Sequence, residues 1–121
     1  MNKILIVDDD ARNIFALTAT LKSKGFTCVP ASDGNEALSA LSQDDSIGLV
    51  LLDIMMPQTD GYELIERIRN DMRFAGLALI AVTAQAMPGD REKCIEAGAD
   101  DYISKPVDVE KMLALNSQHI N

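Results

Sequence analysis

The chain has 121 residues and a formal charge of −8, without the clustered Lys and Arg that grip a phosphate backbone, so nucleic-acid binding by this chain alone is excluded. Hydrophobic residues make up 47% of it, which suits one core in a single domain over 1–121, and no apolar run approaches the ~20 residues of a membrane span. The start is too acidic and its apolar stretch too short for a signal peptide, so a cytoplasmic location is expected.

Lys3–Asp8 reads as a short first strand. Ala11–Lys24 follows as a helix, with Ile14, Leu17 and Leu21 on one face and Gly25 as its stop. Phe26–Ala31 is a weaker second strand, and Pro30 near its end predicts a sheet edge because proline cannot donate to a ladder. Asp33-Gly-Asn-Glu36 has capping-box spacing ahead of Ala37, Leu38 and Leu41. Gly48–Leu52 is apolar on both faces, as a central parallel strand beneath helices must be, and it ends at Asp53. A turn through Met55-Met56-Pro57 and Asp60-Gly61 leads to a third helix marked by Leu64, Ile65, Ile68 and Met72.

Leu77–Val82 repeats the buried-strand signature, and Pro88 opens a short fourth helix that carries Cys94 and Ile95 and closes at Gly98. Asp101–Ser104, Pro106 and a short helix from about Asp108 with Met112, Leu113 and Leu115 form the fifth unit. Cys28 and Cys94 read as buried, reduced thiols, and His119 as frayed surface. Five strand–helix units in alternation predict an α/β fold, a doubly wound parallel sheet with helices on both faces.

Asp8, Asp9, Asp53, Thr83 and Lys105 all fall at or just past the ends of strands, where open α/β sheets bind ligands. A lone Asp there is an ordinary cap or turn residue; five such groups on one edge predict a site. In the order 3-2-1-4-5 the ends of strands 1 and 3 lie roughly 9–10 Å apart, too far to share one ion. The order 2-1-3-4-5 makes them neighbours and leaves Pro30 at an edge. Three close carboxylates repel unless a cation relieves them, and oxygen-only ligands favour Mg²⁺ or Mn²⁺ over zinc.

The stretches Ile4-Leu-Ile-Val-Asp-Asp-Asp10, Leu51-Leu-Asp-Ile-Met-Met-Pro57, Asp60-Gly61, Val82-Thr-Ala84 and Asp101-Tyr-Ile-Ser-Lys-Pro106, with Gly98, resemble the response-regulator receiver domain of two-component signalling. The wording of Arg12-Asn-Ile-Phe-Ala-Leu17 and Ala84-Gln-Ala-Met-Pro-Gly-Asp-Arg91 is most similar to receivers of hybrid sensor histidine kinases, so the chain is an excised domain or a stand-alone regulator. The resemblance implies a flavodoxin-like (βα)5 fold and a phosphoryl group taken onto Asp53 from a histidine kinase or histidine phosphotransfer protein. From the residues alone Asp9 is as good a nucleophile. It further implies Mg²⁺ on Asp8, Asp9, Asp53 and the Met55 carbonyl, with Lys105 and Thr83 on the phosphoryl oxygens. Thr83 and Tyr102 would switch the face formed by the fourth helix, fifth strand and fifth helix, and the domain would not be a turnover enzyme.

Thr59, where the family often has methionine, is a small departure in a turn, and Met55 and Gln85 occupy positions that influence acyl-phosphate lifetime. The Lys105–Pro106 bond is expected to be cis, aiming Lys105 back over the strand ends. Other readings are a Mg²⁺-dependent phosphohydrolase with an aspartyl nucleophile, which usually has a second Asp where Met55 stands, a phosphorylation-independent adaptor, and an FMN carrier. The last would need a Ser/Thr/Gly-rich loop in place of Asp8-Asp9-Asp10.

Overall fold

A computed structural model describes residues 3–57, 59–84 and 87–119, with side chains described as far as Leu115. Its elements are β1 (Lys3–Val7), α1 (Ala11–Ser23), β2 (Thr27–Ala31), α2 (Gly34–Gln43), β3 (Ile47–Asp53), α3 (Gly61–Asn70), β4 (Ala78–Thr83), α4 (Asp90–Ala97), β5 (Asp101–Ser104) and α5 (Val109–His119). All five strands pair in parallel in the order β2-β1-β3-β4-β5, the expected one. Pro30 lies exposed on the edge strand β2.

Strand periodicity divides the core into two layers. Leu5, Val7, Val50, Leu52, Leu79 and Ala81 face α2, α3 and α4, whose Ala37, Leu41, Leu64, Ile65, Ile68 and Cys94 cover them. Ile4, Ile6, Leu49, Leu51, Ile80 and Val82 face α1 and α5 through Leu17, Leu21, Val109 and Met112. All seven residues of β3 are buried, as befits the middle of the sheet.

Several local expectations are corrected. Met72 does not belong to the third helix, which ends at Asn70; it is 93% exposed in a 3₁₀ turn capped by Asp71, and Phe74 is buried instead. Helix α4 begins at Asp90, with Pro88 in the preceding turn and Gly89 left-handed at the cap, and Ile95 faces solvent while Cys94 is buried. Cys28 is only half-buried, and both thiols are free. Asp33 caps α2 by accepting from the Glu36 N–H, but Glu36 returns its carboxylate to the Ser32 N–H and hydroxyl, not to Asp33. The side chain of His119 and all of Gln85 lie outside the described residues.

After β3 the chain turns so tightly that Met55–Met56 pairs antiparallel with Thr59–Asp60. Gly61 makes that turn possible: a Cβ there would lie 2.4 Å from Ile54 Cα.

Candidate functional site

Register places the expected groups level with one another. Val7 pairs with Leu52, Asp53 with Val82 and Thr83 with Ser104, so Asp8, Asp53, Thr83 and Lys105 meet at one edge of the sheet. Asp8 is 3% exposed, Asp53 4% and Thr83 1%, whereas Asp9 is exposed.

Each carboxylate is fixed by the loop that leaves its strand. The Asp10 N–H donates to Asp8 Oδ1 (2.9 Å), and Asp10 itself caps α1 by accepting from the Arg12 N–H (2.9 Å). Asn13, on the first turn of α1, donates through Nδ2 to Asp8 Oδ2 (2.5 Å). At the centre of the sheet, the Met55 N–H donates to Asp53 Oδ1 (2.9 Å), and the Ile54 N–H donates to the Val82 carbonyl.

The Lys105 N–H donates to the Thr83 carbonyl (2.7 Å), and the Lys105–Pro106 bond is cis, as expected. Lys105 Nζ lies 3.0 Å from Asp53 Oδ2 and 3.2 Å from Asp8 Oδ2. Burial pulls the ammonium toward deprotonation, but the hydrogen bond and charge of Asp53, with those of Asp8, outweigh it and hold the Lys105 pKa above the ordinary lysine value.

Asp8, Asp9 and Asp53 offer oxygens that all lie within 4.8 Å of one another. Three carboxylates against one ammonium leave two negative charges in excess, which a divalent cation would offset. Oxygens across a Mg²⁺ with bonds of about 2.1 Å stand roughly 4.2 Å apart. The span of the three acids is close to that separation, so their chemistry and spacing fit a hard metal ion. A cleft of about 550 Å³, lined by Asp9, Arg12, Asp53, Met55, Ala84 and Lys105 among others, opens Asp9 and Asp53 to solvent.

Tyr102 stands apart from this cluster. Its ring is half-buried against the core layer that contains Cys94, and among the described residues its hydroxyl is the one buried side-chain polar atom without a hydrogen-bond partner. The sequence reading missed Asn13, because its contact with Asp8 depends on how α1 leaves the loop. It also missed Arg69 on α3, whose guanidinium donates to the carbonyls of Phe74, Leu77 and Gly98 and pairs with Asp100.

The chain belongs to the response regulator receiver domain family, whose model matches residues 4–116. It is 40% identical over 114 residues to the transcriptional regulatory protein CpxR of Escherichia coli (strain K12), covering 94% of this chain and 47% of that protein. It is 44% identical over 106 residues to the sensor histidine kinase RcsC of the same strain, covering 86% of this chain and 11% of the kinase. The crystal structure of a response regulator receiver protein from Pseudomonas putida matches with a TM-score of 0.87 and 35% identity, over 96% of this chain and 95% of that one. The chain thus spans about half the length of the regulator and about a tenth of the kinase. It is a phosphoacceptor signalling domain with the flavodoxin-like fold. No helix among the described residues is long and apolar enough to cross a membrane.

Proposed function

We propose that Asp53 accepts a phosphoryl group from the phosphohistidine of a histidine kinase or histidine phosphotransfer protein, with Mg²⁺ as the resident metal. The observation that carries this reading is the central buried Asp53 carboxylate, bonded to Lys105 Nζ at 3.0 Å and open to the cleft. Exposed Asp9 has no such ammonium beside it among the described ion pairs. In the transfer an Asp53 oxygen forms a bond to phosphorus, the bond from phosphorus to the imidazole nitrogen breaks, and the imidazole keeps that electron pair and takes up a proton.

Asp8, Asp9, Asp53 and the Met55 carbonyl would hold Mg²⁺, which when bound supplies neutralisation of the phosphoryl oxygens. Lys105 and the Thr83 hydroxyl contact those oxygens from the β4 and β5 side. The unpartnered Tyr102 hydroxyl leaves the ring's present position incompletely satisfied, which supports a switch in which Tyr102 and Thr83 shift the populations of the α4-β5-α5 face. The domain promotes its own phosphorylation and dephosphorylation without being a turnover enzyme: Met55 stands where an aspartyl-nucleophile phosphohydrolase usually has its second Asp. Two free thiols suit a reducing cytoplasm, and residues 1–121 act as one receiver, alone or within a longer protein.

Incubation with acetyl phosphate and Mg²⁺ should add one phosphoryl mass to the intact protein, and Asp53→Asn should abolish the adduct. An adduct of undiminished yield in Asp53→Asn would refute the assignment.

A further inference from the structure

We infer that Asn13 is a positioning residue for the metal site: its amide holds the Asp8 carboxylate in the orientation that receives Mg²⁺. The inference rests on the reading of Asp8, Asp9 and Asp53 as the metal cluster. Asn13 belongs to the stretch Arg12-Asn-Ile-Phe-Ala-Leu17, for which the transfer chemistry gives no role.

Asp8 is 3% exposed, so water does little to solvate its charge, and protein donors must replace that solvation. Among the described residues it has three: the Asp10 N–H on Oδ1, and Asn13 Nδ2 (2.5 Å) with Lys105 Nζ (3.2 Å) on Oδ2. A carboxylate has only acceptor oxygens, so it is the amide nitrogen of Asn13 that must face it. The three donors differ in permanence. Lys105 also binds Asp53, and it is the group that has to turn toward an arriving phosphoryl oxygen. The Asp10 N–H fixes only Oδ1. When Lys105 turns away, Asn13 is the donor left on Oδ2, anchored by the helix backbone and carrying no charge that would repel a cation.

A neutral amide suits this place better than a second cation would. It prevents rotation of the carboxylate without cancelling the negative charge that attracts the metal. Partners of this kind behind a metal ligand typically change affinity 10–100-fold when removed.

The test is Mg²⁺ affinity, read by isothermal titration calorimetry on the unphosphorylated chain, with melting temperature of the metal-free protein alongside. Asn13→Ala and Asn13→Leu should each weaken Mg²⁺ binding about tenfold or more. Asn13→Gln, which restores an amide on a longer arm, should recover part of the loss. Wild-type affinity in both the Ala and the Leu variants overturns the inference, even if their metal-free melting temperatures fall, since Asn13 would then serve the fold alone. A Gln variant as weak as Ala overturns the donor argument as well. Asp9→Ala separates the two layers of the claim: if it loses Mg²⁺ while the Asn13 variants do not, the metal cluster stands and the role of Asn13 falls. If the wild type itself takes up no Mg²⁺, the cluster reading falls first and the inference with it.

Discussion

Among the described residues the buried Tyr102 hydroxyl has no partner, and leaving a buried polar group unsatisfied costs about 1–3 kcal/mol. Tyr102→Phe keeps the ring and removes that cost, so it should stabilise the fold by about 1 kcal/mol, read as a higher urea midpoint at an unchanged slope. Burial, followed by the nearby Asp90 charge and the Cys94 thiol, pushes the Tyr102 phenol above the ordinary tyrosine value. A folded-state pKa above the unfolded value of about 10 means that the unfolded chain gives up this proton first. Its ionisation therefore leaves stability unchanged below pH ~10 and lowers it as pH climbs from there through the raised folded value. The advantage of Tyr102→Phe should widen with pH above that point, and an advantage that stays constant would show that the phenol does not titrate as described. At this scale the site was largely legible, because strand ends are read from apolar runs and Asp8, Asp53, Thr83 and Lys105 end them. Asn13 was not: five residues from Asp8, it looks like any helix-surface amide until α1 turns it back over the carboxylate.

Arg69 joins three elements that the sequence presents as separate. From α3 its guanidinium reaches the Gly98 carbonyl (2.6 Å) at the end of α4, the Phe74 and Leu77 carbonyls before β4, and Asp100 (2.9 Å), which in turn accepts from the Leu79 N–H (2.9 Å). Gly98 sits at φ 127°, and a Cβ there would lie 2.4 Å from Arg69 Cγ, so glycine is needed both for its backbone and for the room it leaves. Arg69→Leu takes the paired cation from Asp100 and one donor from each of those carbonyls, and should destabilise the protein by on the order of 3 kcal/mol, measured by urea denaturation. A loss within a few tenths of a kcal/mol would show the network to be solvated and dispensable. Gly98 was readable as a helix stop, but its partner was not, since an Arg on a helix pattern reads as solvated surface. Met72 shows the opposite error. Its apolar spacing carried the third helix past Asn70, where the Asp71 side chain, accepting from the Arg73 N–H (3.0 Å), starts a new turn and leaves Met72 in water.

For the molecule as a whole, strand order followed from charge more than from hydrophobicity. Apolar runs specify that there are five strands, but only the need to bring Asp8 and Asp53 together selects 2-1-3-4-5, the order observed. A metal bound at the same cluster would couple stability to its concentration, because the carboxylate repulsion it relieves exists only in the folded state. Mg²⁺ at a hundred times its dissociation constant should stabilise the fold by about 2.7 kcal/mol and raise the melting temperature accordingly. Asp9→Ala should lose most of that response; a full response in the variant would place the ion elsewhere. The two sheet edges carry a different consequence. An open edge invites a further strand from another chain, and such growth is the usual route to strand-mediated aggregation. Here one edge is β2, carrying Pro30, which has no N–H to offer, and the other is β5, only four residues long. Neither offers a long, unbroken template, so when copies of this domain are crowded together, addition of a sixth strand from a neighbour is disfavoured.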